Sequence, residues 1–340
     1  MNRAKDFSTS SGHPRMLLRS RSMRGALFGR NLKFLSENVS GIQTLDSRLK
    51  RAGMTMGSRM ADYLQLIKTR LVFMVLLSTV TGYYLSSFNF SADPLKFWMM
   101  LLGTAFVACG SMTLNEVLEV ETDSKMIRTQ NRPLPAGRLS IREALIFGGV
   151  TSVLGFTILI SSVNWLAAAL AFATWAGYLF VYTPLKSKTS LSTVVGAVPG
   201  ALPPLIGWAS ASGHINFHGF ILFLIMFFWQ LPHFLAIAWM YREDYERAGL
   251  PILSVIDRDG TFVSRQMILN MCALMPVSLL PTIFTLTGTL YFFGAFSLGI
   301  FFAAVIIFAS SNLDLRARWV LRASVIYLAS LLILMVVDKL

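Results

Sequence analysis

The sequence predicts an all-α, polytopic membrane protein with nine transmembrane helices. Hydrophobic residues make up 54% of the 340-residue chain and charged residues only 14%, a balance typical of a multi-span membrane protein. The apolar runs are each close to the 20 residues that cross a hydrocarbon core of about 30 Å. Lys and Arg gather in alternate loops between these runs, as expected when one side of the membrane retains the positive charge.

Each predicted span is an apolar run bounded by polar, Gly-rich or Pro-rich residues. In chain order the nine spans are Leu64–Ser87, Leu95–Leu114, Ala144–Ser161, Trp165–Tyr182, Leu191–Ser210, Phe217–Tyr241, Met267–Leu286, Tyr291–Ser310 and Trp319–Val337.

The distribution of basic residues predicts the orientation. The loops after the second, fourth, sixth and eighth spans are rich in Lys and Arg, whereas the opposite loops hold almost none. The positive-inside rule then places the N-terminus inside and the C-terminus outside. Two long loops, 115–143 and 241–266, both lie on the inside, and long polar loops in a compact membrane protein usually carry function.

Residues 1–61 form a predicted basic, Ser/Arg-rich and disordered extension, followed by the membrane domain at 62–340. The first 60 residues carry twelve Lys/Arg and three acids, without the apolar stretch of a secretory signal. This composition is similar to a mitochondrial transit peptide, but the early Asp6 favours a basic extension of a bacterial inner-membrane protein with a cytoplasmic N-terminus. The mitochondrial inner membrane is the alternative. The basic loops are a topology signal, so no nucleic-acid partner is predicted.

A row of oxygen-bearing side chains follows the second span. Asn115, Glu119 and Asp123 are four residues apart, and each helical step of four advances about 6 Å along one face. Carboxylates at the mouth of a membrane helix are costly to keep there and suggest cation binding, although a solvated helix end is the alternative. Arg128 and Arg132 follow within ten residues. Acids before cations suit a Mg²⁺–diphosphate, in which carboxylates hold the metal and cations hold the phosphate oxygens.

Two further loops place charge at the same predicted depth. Lys186 follows the fourth span, and Arg242 and Asp244 follow the sixth. Any one of these basic residues could equally be an anchor at the membrane surface. In the sixth span, His233 precedes Asp244 by eleven residues, which is close to an integral number of helical turns, so both are predicted to face the same direction. An ionisable residue within a membrane helix indicates a functional site, with a neutral, hydrogen-bonded His as the alternative.

The fifth span is unusually rich in Gly and Pro. Gly196 and Gly200 allow neighbouring helices to approach closely, while Pro199, Pro203 and Pro204 interrupt regular hydrogen bonding. The pattern predicts a kinked helix beside a cavity, with ordinary close packing as the alternative.

These motifs resemble a known family over about residues 62–338. The Asn115-x-x-x-Glu119-x-x-x-Asp123 row is similar to the first metal–diphosphate motif of the UbiA superfamily of intramembrane prenyltransferases. Within that superfamily the chain resembles the haem O synthases. The stretches that carry this resemblance run from Asp123 to Leu134, from Tyr182 to Trp208, and from Trp229 through Gln230, Pro232 and His233 to Pro251.

The resemblance implies a helical bundle around a central cavity that opens to the inside. It implies farnesyl diphosphate as donor, haem b as acceptor, Mg²⁺ as cofactor, and haem O for haem–copper oxidases as product. Haem A synthase or oxidase assembly factors are then candidate partners. The implied catalytic and metal-binding residues are Asn115, Glu119, Asp123 and Asp244, and the implied substrate-binding residues are Arg128, Arg132, Lys186, Arg242, His233 and Tyr182.

Two other functions remain open from sequence alone. One is a related prenyltransferase acting on an aromatic acid or quinone precursor, whose cavity would not need to admit a porphyrin. The other is a transporter in which intramembrane carboxylates couple ions. A transporter of this kind predicts weak internal repeats between the halves of the chain, and the sequence shows none.

Overall fold

The computed structural model describes residues 56–87 and 93–340, and their regular structure is helical apart from one isolated bridge between Thr287 and Lys339. The helices are α1 Met56–Leu66, α2 Thr69–Ser86, α3 Pro94–Leu118, α4 Val120–Lys125, α5 Ile141–Ser162, α6 Trp165–Ala176, a π-helical turn Gly177–Tyr182, α7 Thr183–Lys186, α8 Ser192–Ala201, α9 Pro203–Ser212, α10 Phe217–Met240, α11 Arg242–Arg247, α12 Leu253–Ile256, α13 Thr261–Ile283, α14 Thr289–Ser310 and α15 Leu313–Val337.

The described residues contain the predicted nine candidate spans. Eight continuous helical stretches are long and apolar enough to cross a membrane, and α1 and α2, which are bent by 50° relative to each other, give nine when the pair is counted as one span. The helices α6 and α7 join through the π-helical turn into one span, and α8 and α9 join into another. The prediction of an all-helical, nine-span protein is therefore confirmed for these residues.

The first span differs from its predicted form. Its helix is broken at Lys68, whose φ of 52° and ψ of 58° lie in the left-handed region that residues with a Cβ rarely adopt. The chain thereby turns between α1 and α2 and brings the Lys68 side chain towards the end of α3. The predicted extension at 1–61 lies outside the described residues except for 56–61, which begin α1.

Other predicted spans also differ from the structure. The fifth is interrupted at Leu202, between Pro199 inside α8 and Pro203 at the start of α9. The seventh and ninth begin six residues earlier than predicted, at Thr261 and Leu313, and the additional residues include Arg265 and Arg316. Hydropathy alone does not recognise such polar helix ends as part of a span.

Close approach of backbones holds α2 against α9. A Cβ on Gly207 would lie 1.8 Å from the carbonyl oxygen of Thr79, and a Cβ on Gly82 would lie 2.0 Å from that of Pro204. Neither position can carry a side chain unless the helices separate. Small residues commonly bring helices together in this way inside a membrane, where lipid is as apolar as the helix surface.

The C-terminal half supplies the largest buried cluster. Tyr291 and Phe302 of α14 are fully buried with Tyr327 of α15, and this cluster extends to α10 and α13. The helix α10 packs against α13 and α15 on one side and against α8 on the other. It therefore joins the two halves of the bundle and presents side chains to the space between them.

Candidate active site

The predicted row of side chains lies at the C-terminal end of α3 and continues into α4. Asn115 is in the last turn of α3, Glu119 follows that helix, and Asp123 is in α4. The Glu119 N–H donates to the Asn115 carbonyl (3.0 Å), and the Asp123 N–H donates to the Glu119 carbonyl (2.8 Å). The four-residue helical spacing thus continues past the end of α3. All three side chains are buried.

Each member of the row has a cationic partner. Lys186 Nζ lies 3.0 Å from Glu119 Oε1, Arg132 Nη1 lies 2.6 Å from Asp123 Oδ2, and Lys68 Nζ donates to Asn115 Oδ1 at 2.9 Å. Burial raises the pKa of the Glu119 carboxyl. The positive charges of Lys186 and Lys68 lower it by more than burial raises it, so the pKa lies below its ordinary value. Glu119 is therefore ionised at neutral pH.

Glu116 is a site residue that the sequence reasoning missed. Its side chain is only 1% exposed, and neither carboxylate oxygen has a hydrogen-bond partner. Its nearest cations are Lys68 Nζ at 3.8 Å and Arg132 Nε at 3.7 Å. The sequence feature that could have identified Glu116 is its place as an acidic residue directly after Asn115, at the end of a largely apolar helix. We define the charge cluster as three acids and three bases, Glu116, Glu119, Asp123, Lys68, Arg132 and Lys186, whose formal charges cancel.

The π-helical turn fixes the orientation of the Asn115 amide. Tyr178, within this turn, donates its hydroxyl to Asn115 Oδ1 at 3.2 Å, and Asn115 Nδ2 donates to Thr183 Oγ1 at 3.1 Å. Thr183 in turn donates to the Tyr178 carbonyl, and the rings of Tyr178 and Tyr182 stack with centroids 5.4 Å apart. Single π-helical turns occur frequently at functional sites because the wider turn redirects side chains.

Asp244 joins the second charged loop to the first. Its two carboxylate oxygens accept the backbone N–H groups of Ile127 (3.0 Å) and Arg128 (3.1 Å), and Arg247 Nη1 lies 2.6 Å from Oδ1. Burial raises the pKa of Asp244, but these donors lower it more strongly, so the pKa lies below its ordinary value. Asp244 thus holds the loop that follows the row, and it would have to exchange these bonds to bind a metal.

The predicted common face of His233 and Asp244 is wrong. The helix α10 ends at Met240, Tyr241 leaves the helical conformation, and Asp244 lies on the separate helix α11. Helical spacing therefore does not relate the direction of the His233 side chain to that of Asp244.

The remaining predicted cations divide into two groups. Arg132 and Lys186 belong to the charge cluster, and the Arg128 guanidinium lies over the Tyr241 ring at 4.8 Å. Arg242 instead pairs with Asp314 at 3.0 Å, at the start of α15. The structure therefore brings Arg242 to α15 rather than to the row.

A cavity of about 420 Å³ adjoins the charge cluster. Lys186 and Tyr182 line its charged end, His233 lines it from α10, and most of the remaining wall is apolar. Gly196 of α8 makes room for the Tyr182 ring, since a Cβ there would lie 2.4 Å from that ring. An apolar cavity of a few hundred Å³ with a few convergent polar groups is typical of a small-molecule site.

The oxygen donors of the row fit a magnesium–diphosphate better than a free metal ion. Within residues 56–87 and 93–340, no three acidic, His or Cys side chains lie close enough to share a metal. Mg²⁺ usually takes only one or two protein carboxylates and completes its shell with water and phosphate oxygens. The carboxylate oxygens of Glu116, beside Asn115, are buried and accept no hydrogen bond, so a metal ion could use them as ligands.

The fold and this site define an intramembrane prenyltransferase. Residues 75–331 match the UbiA prenyltransferase family, and the chain belongs to that family. A solved digeranylgeranylglyceryl phosphate synthase has the same fold, with a TM-score of 0.69 at 20% identity over 83% of this chain and 98% of that one. A UbiA homologue from Archaeoglobus fulgidus bound to DMAPP and Mg²⁺ aligns with a TM-score of 0.59 at 16% identity, over 81% and 99% of the chains.

Several curated relatives are protoheme IX farnesyltransferases. The protoheme IX farnesyltransferase of Solibacter usitatus is 43% identical over 289 residues, which cover 82% of this chain and 99% of the relative. The mitochondrial protoheme IX farnesyltransferase of Arabidopsis thaliana is 38% identical over 227 residues, covering 67% of this chain and 53% of that protein.

Proposed function

We propose that this protein transfers the farnesyl group of farnesyl diphosphate to a vinyl group of haem b, which yields haem O. The observation that carries the proposal is a buried charge cluster at one end of an apolar cavity, in a chain 43% identical to a protoheme IX farnesyltransferase. The alternative acceptor, an aromatic acid or quinone precursor, is not favoured, because the curated relatives are protoheme IX farnesyltransferases.

Diphosphate binding would proceed by an exchange of partners within the charge cluster. In the structure, Lys186 and Arg132 neutralise Glu119 and Asp123. When the acids turn to magnesium, the same bases become available to the phosphate oxygens, so no buried charge is left without a partner. Bound Mg²⁺ supplies the charge neutralisation that makes diphosphate a better leaving group. A solved family member that contains Mg²⁺ supports this assignment.

The metal-binding proposal covers Asn115, Glu119 and Asp123, and extends to Asp244 across the loop. Glu116 joins them as a buried acid without a hydrogen-bond partner. Arg128, Tyr182 and Arg242 stay proposed substrate-binding residues. Of these, Arg242 would need to leave Asp314 before it could reach a phosphate.

The cavity supports the chemistry of the farnesyl group. Its apolar wall excludes water and accommodates the prenyl chain. The stacked rings of Tyr178 and Tyr182 line the cavity at its charged end, where the carbon–oxygen bond to diphosphate would break. Their faces are suited to stabilise the positive charge that develops on the allylic carbon.

The acceptor step completes the reaction. The haem vinyl carbon forms a bond to the first farnesyl carbon as diphosphate leaves with the bonding electron pair. Water then adds to the resulting cation and loses a proton, which leaves a hydroxyethylfarnesyl side chain. In this scheme the protein binds both substrates and excludes bulk water until the new carbon–carbon bond has formed.

We also propose where the protein works. Its apolar helices indicate a multi-pass membrane protein, and bacterial relatives support the inner membrane with a cytoplasmic N-terminus. The mitochondrial relative supports the alternative of the mitochondrial inner membrane. Haem A synthase or oxidase assembly factors are proposed partners, since they would consume the product.

The decisive experiment is conversion by the purified, detergent-solubilised protein. Haem b, farnesyl diphosphate and Mg²⁺ should give haem O, identified by chromatography and mass spectrometry, and chelation of the metal should stop product formation until Mg²⁺ is restored. If the protein prenylates 4-hydroxybenzoate but leaves haem b unchanged, the proposed function is wrong.

A further inference from the structure

Ser324 of α15 forms hydrogen bonds with two cavity-lining residues of α10. It is fully buried. The Trp229 indole N–H donates to its carbonyl oxygen at 2.7 Å, and His233 Nδ1 lies 2.7 Å from its Oγ. Two polar side chains that line the cavity therefore use the same residue of the neighbouring helix.

The hydroxyl of Ser324 determines which nitrogen of His233 carries the proton. A serine hydroxyl has a single proton, and Ser324 Oγ lies 2.7 Å from both the Leu321 carbonyl oxygen and His233 Nδ1. Because a carbonyl oxygen can only accept, both hydrogen bonds form together only when the Ser324 hydroxyl donates to Leu321 and His233 Nδ1 carries a hydrogen. In the neutral ring Nε2 is consequently left with a free lone pair.

The His233 ring is also held in position. The Trp229 ring stacks on it with centroids 5.0 Å apart and an interplanar angle of 28°, and the Phe234 ring meets it edge-on at 5.6 Å. Since Nδ1 is engaged by Ser324, Nε2 is the ring nitrogen available to a molecule in the cavity that His233 lines.

We infer that Ser324 is a positioning residue that holds His233 as the Nδ1–H tautomer, with Nε2 as a ligand for the iron of haem b. The inference rests on the proposed function. Neutral imidazole nitrogen is a common iron ligand, and a hydrogen bond from the second ring nitrogen is the usual arrangement of metal-binding histidines. A haem propionate would need a donor, and an unprotonated Nε2 cannot donate to a carboxylate. The tautomer therefore favours the iron over the propionates.

The first test is Ser324→Ala in the full-length, purified protein. Without its acceptor, His233 should lose its fixed tautomer, and affinity for haem b should fall about 10- to 100-fold, the range seen when such a supporting hydrogen bond is removed. The Soret band of bound haem b should shift, while affinity for farnesyl diphosphate stays unchanged. The matched control is Ser278→Ala, because Ser278 is equally buried and also bonds the carbonyl three residues back. Both haem measurements should stay at wild-type values in that control.

The second test compares haem b with protoporphyrin IX, which lacks the iron. His233→Ala should weaken binding of haem b and leave binding of protoporphyrin IX unchanged. Equal loss for both ligands would overturn the inference, and so would a wild-type haem spectrum and affinity in Ser324→Ala. This comparison leaves Ser324 intact, so it decides the iron contact even if Ser324→Ala does not fold.

Failure of the inference and failure of the proposed function give different results. A wild-type protein that neither binds haem b nor makes haem O would refute the proposed function. A wild-type protein that makes haem O, combined with Ser324→Ala and His233→Ala variants that bind haem b normally, would refute this inference and leave the proposed function standing.

Discussion

Replacement of Asp123 by Asn tests the charge cluster most directly, since it removes one charge and keeps the size of the side chain. Asp123 Oδ2 lies 2.6 Å from Arg132 Nη1, with the two side chains 2% and 19% exposed. Breaking a buried ion pair typically costs about 3–5 kcal/mol. Here Arg132 keeps Glu116 at 3.7 Å, so we expect the loss of stability to be smaller, about 2 kcal/mol.

The effect on catalysis should exceed this structural effect. A neutral amide oxygen binds Mg²⁺ less well than a carboxylate, and the substitution leaves the charge cluster with one positive charge in excess. Loss of one preorganised electrostatic group lowers turnover about 10²- to 10³-fold, so the rate of haem O formation should fall at least about 100-fold, or about 2.7 kcal/mol. The protein should still fold at assay temperature.

The assay measures haem O formation across a range of Mg²⁺ concentrations, together with the melting temperature of each variant. Glu121→Gln is the matched control. It makes the same change of charge in the same helix, but the Glu121 side chain is 72% exposed and pairs with Lys125 at the helix surface. This control should keep wild-type turnover. Turnover of Asp123→Asn within threefold of wild type at saturating Mg²⁺ would contradict the role of the row.

Three further outcomes follow from the structure. Single cysteines at Arg128 and Gly213 should react with impermeant reagents from opposite sides of the membrane, and labelling of both from one side would contradict the predicted topology. Gly207→Ala should lower the melting temperature because its Cβ would meet a carbonyl oxygen at 1.8 Å, whereas Gly149→Ala, with no atom within 4 Å of its Cβ, should not. Because the pKa of Asp244 is lowered in the folded protein, the ionised carboxylate stabilises the fold at pH values above its ordinary pKa of 3.8. This stabilisation is lost as the pH falls through the folded-state pKa. The unfolding free energy of wild type should thus drop more steeply below about pH 4 than that of Asp244→Asn, and parallel curves would refute this contribution.

Patterns that repeat along the chain predicted most of the fold. Hydropathy located the nine spans, because length and polarity alone decide whether a helix can cross a bilayer. The Pro-rich pattern located the interruption near Leu202, since proline removes a backbone donor. The spacing of Asn115, Glu119 and Asp123 located the row, because the backbone hydrogen bonds continue across the end of α3.

Contacts between distant segments could not be read from the sequence. Lys68 reaches Asn115 because its own backbone adopts a left-handed conformation and turns the chain between α1 and α2. The local sequence did not predict this turn. Ser324 lies 91 residues from His233 and was one serine among many until the packing of α10 against α15 brought the two together. The family resemblance implied Asp244 as a metal ligand, but its bonds to the neighbouring loop depend on tertiary structure.

The π-helical turn sets the rotational phase of the span that contains it. One additional residue per turn shifts every later side chain by about 100° relative to an uninterrupted α-helix. The side chains before Gly177 therefore have the directions that the packing of α6 requires, while the π-helical turn rotates the later part of the span so that Lys186 points towards Glu119. Deleting a single residue from this turn would keep the span long enough for the membrane but rotate Lys186 away from its partner. The spacing between Tyr178 and Lys186 is thus constrained by rotation about the helix axis as well as by length.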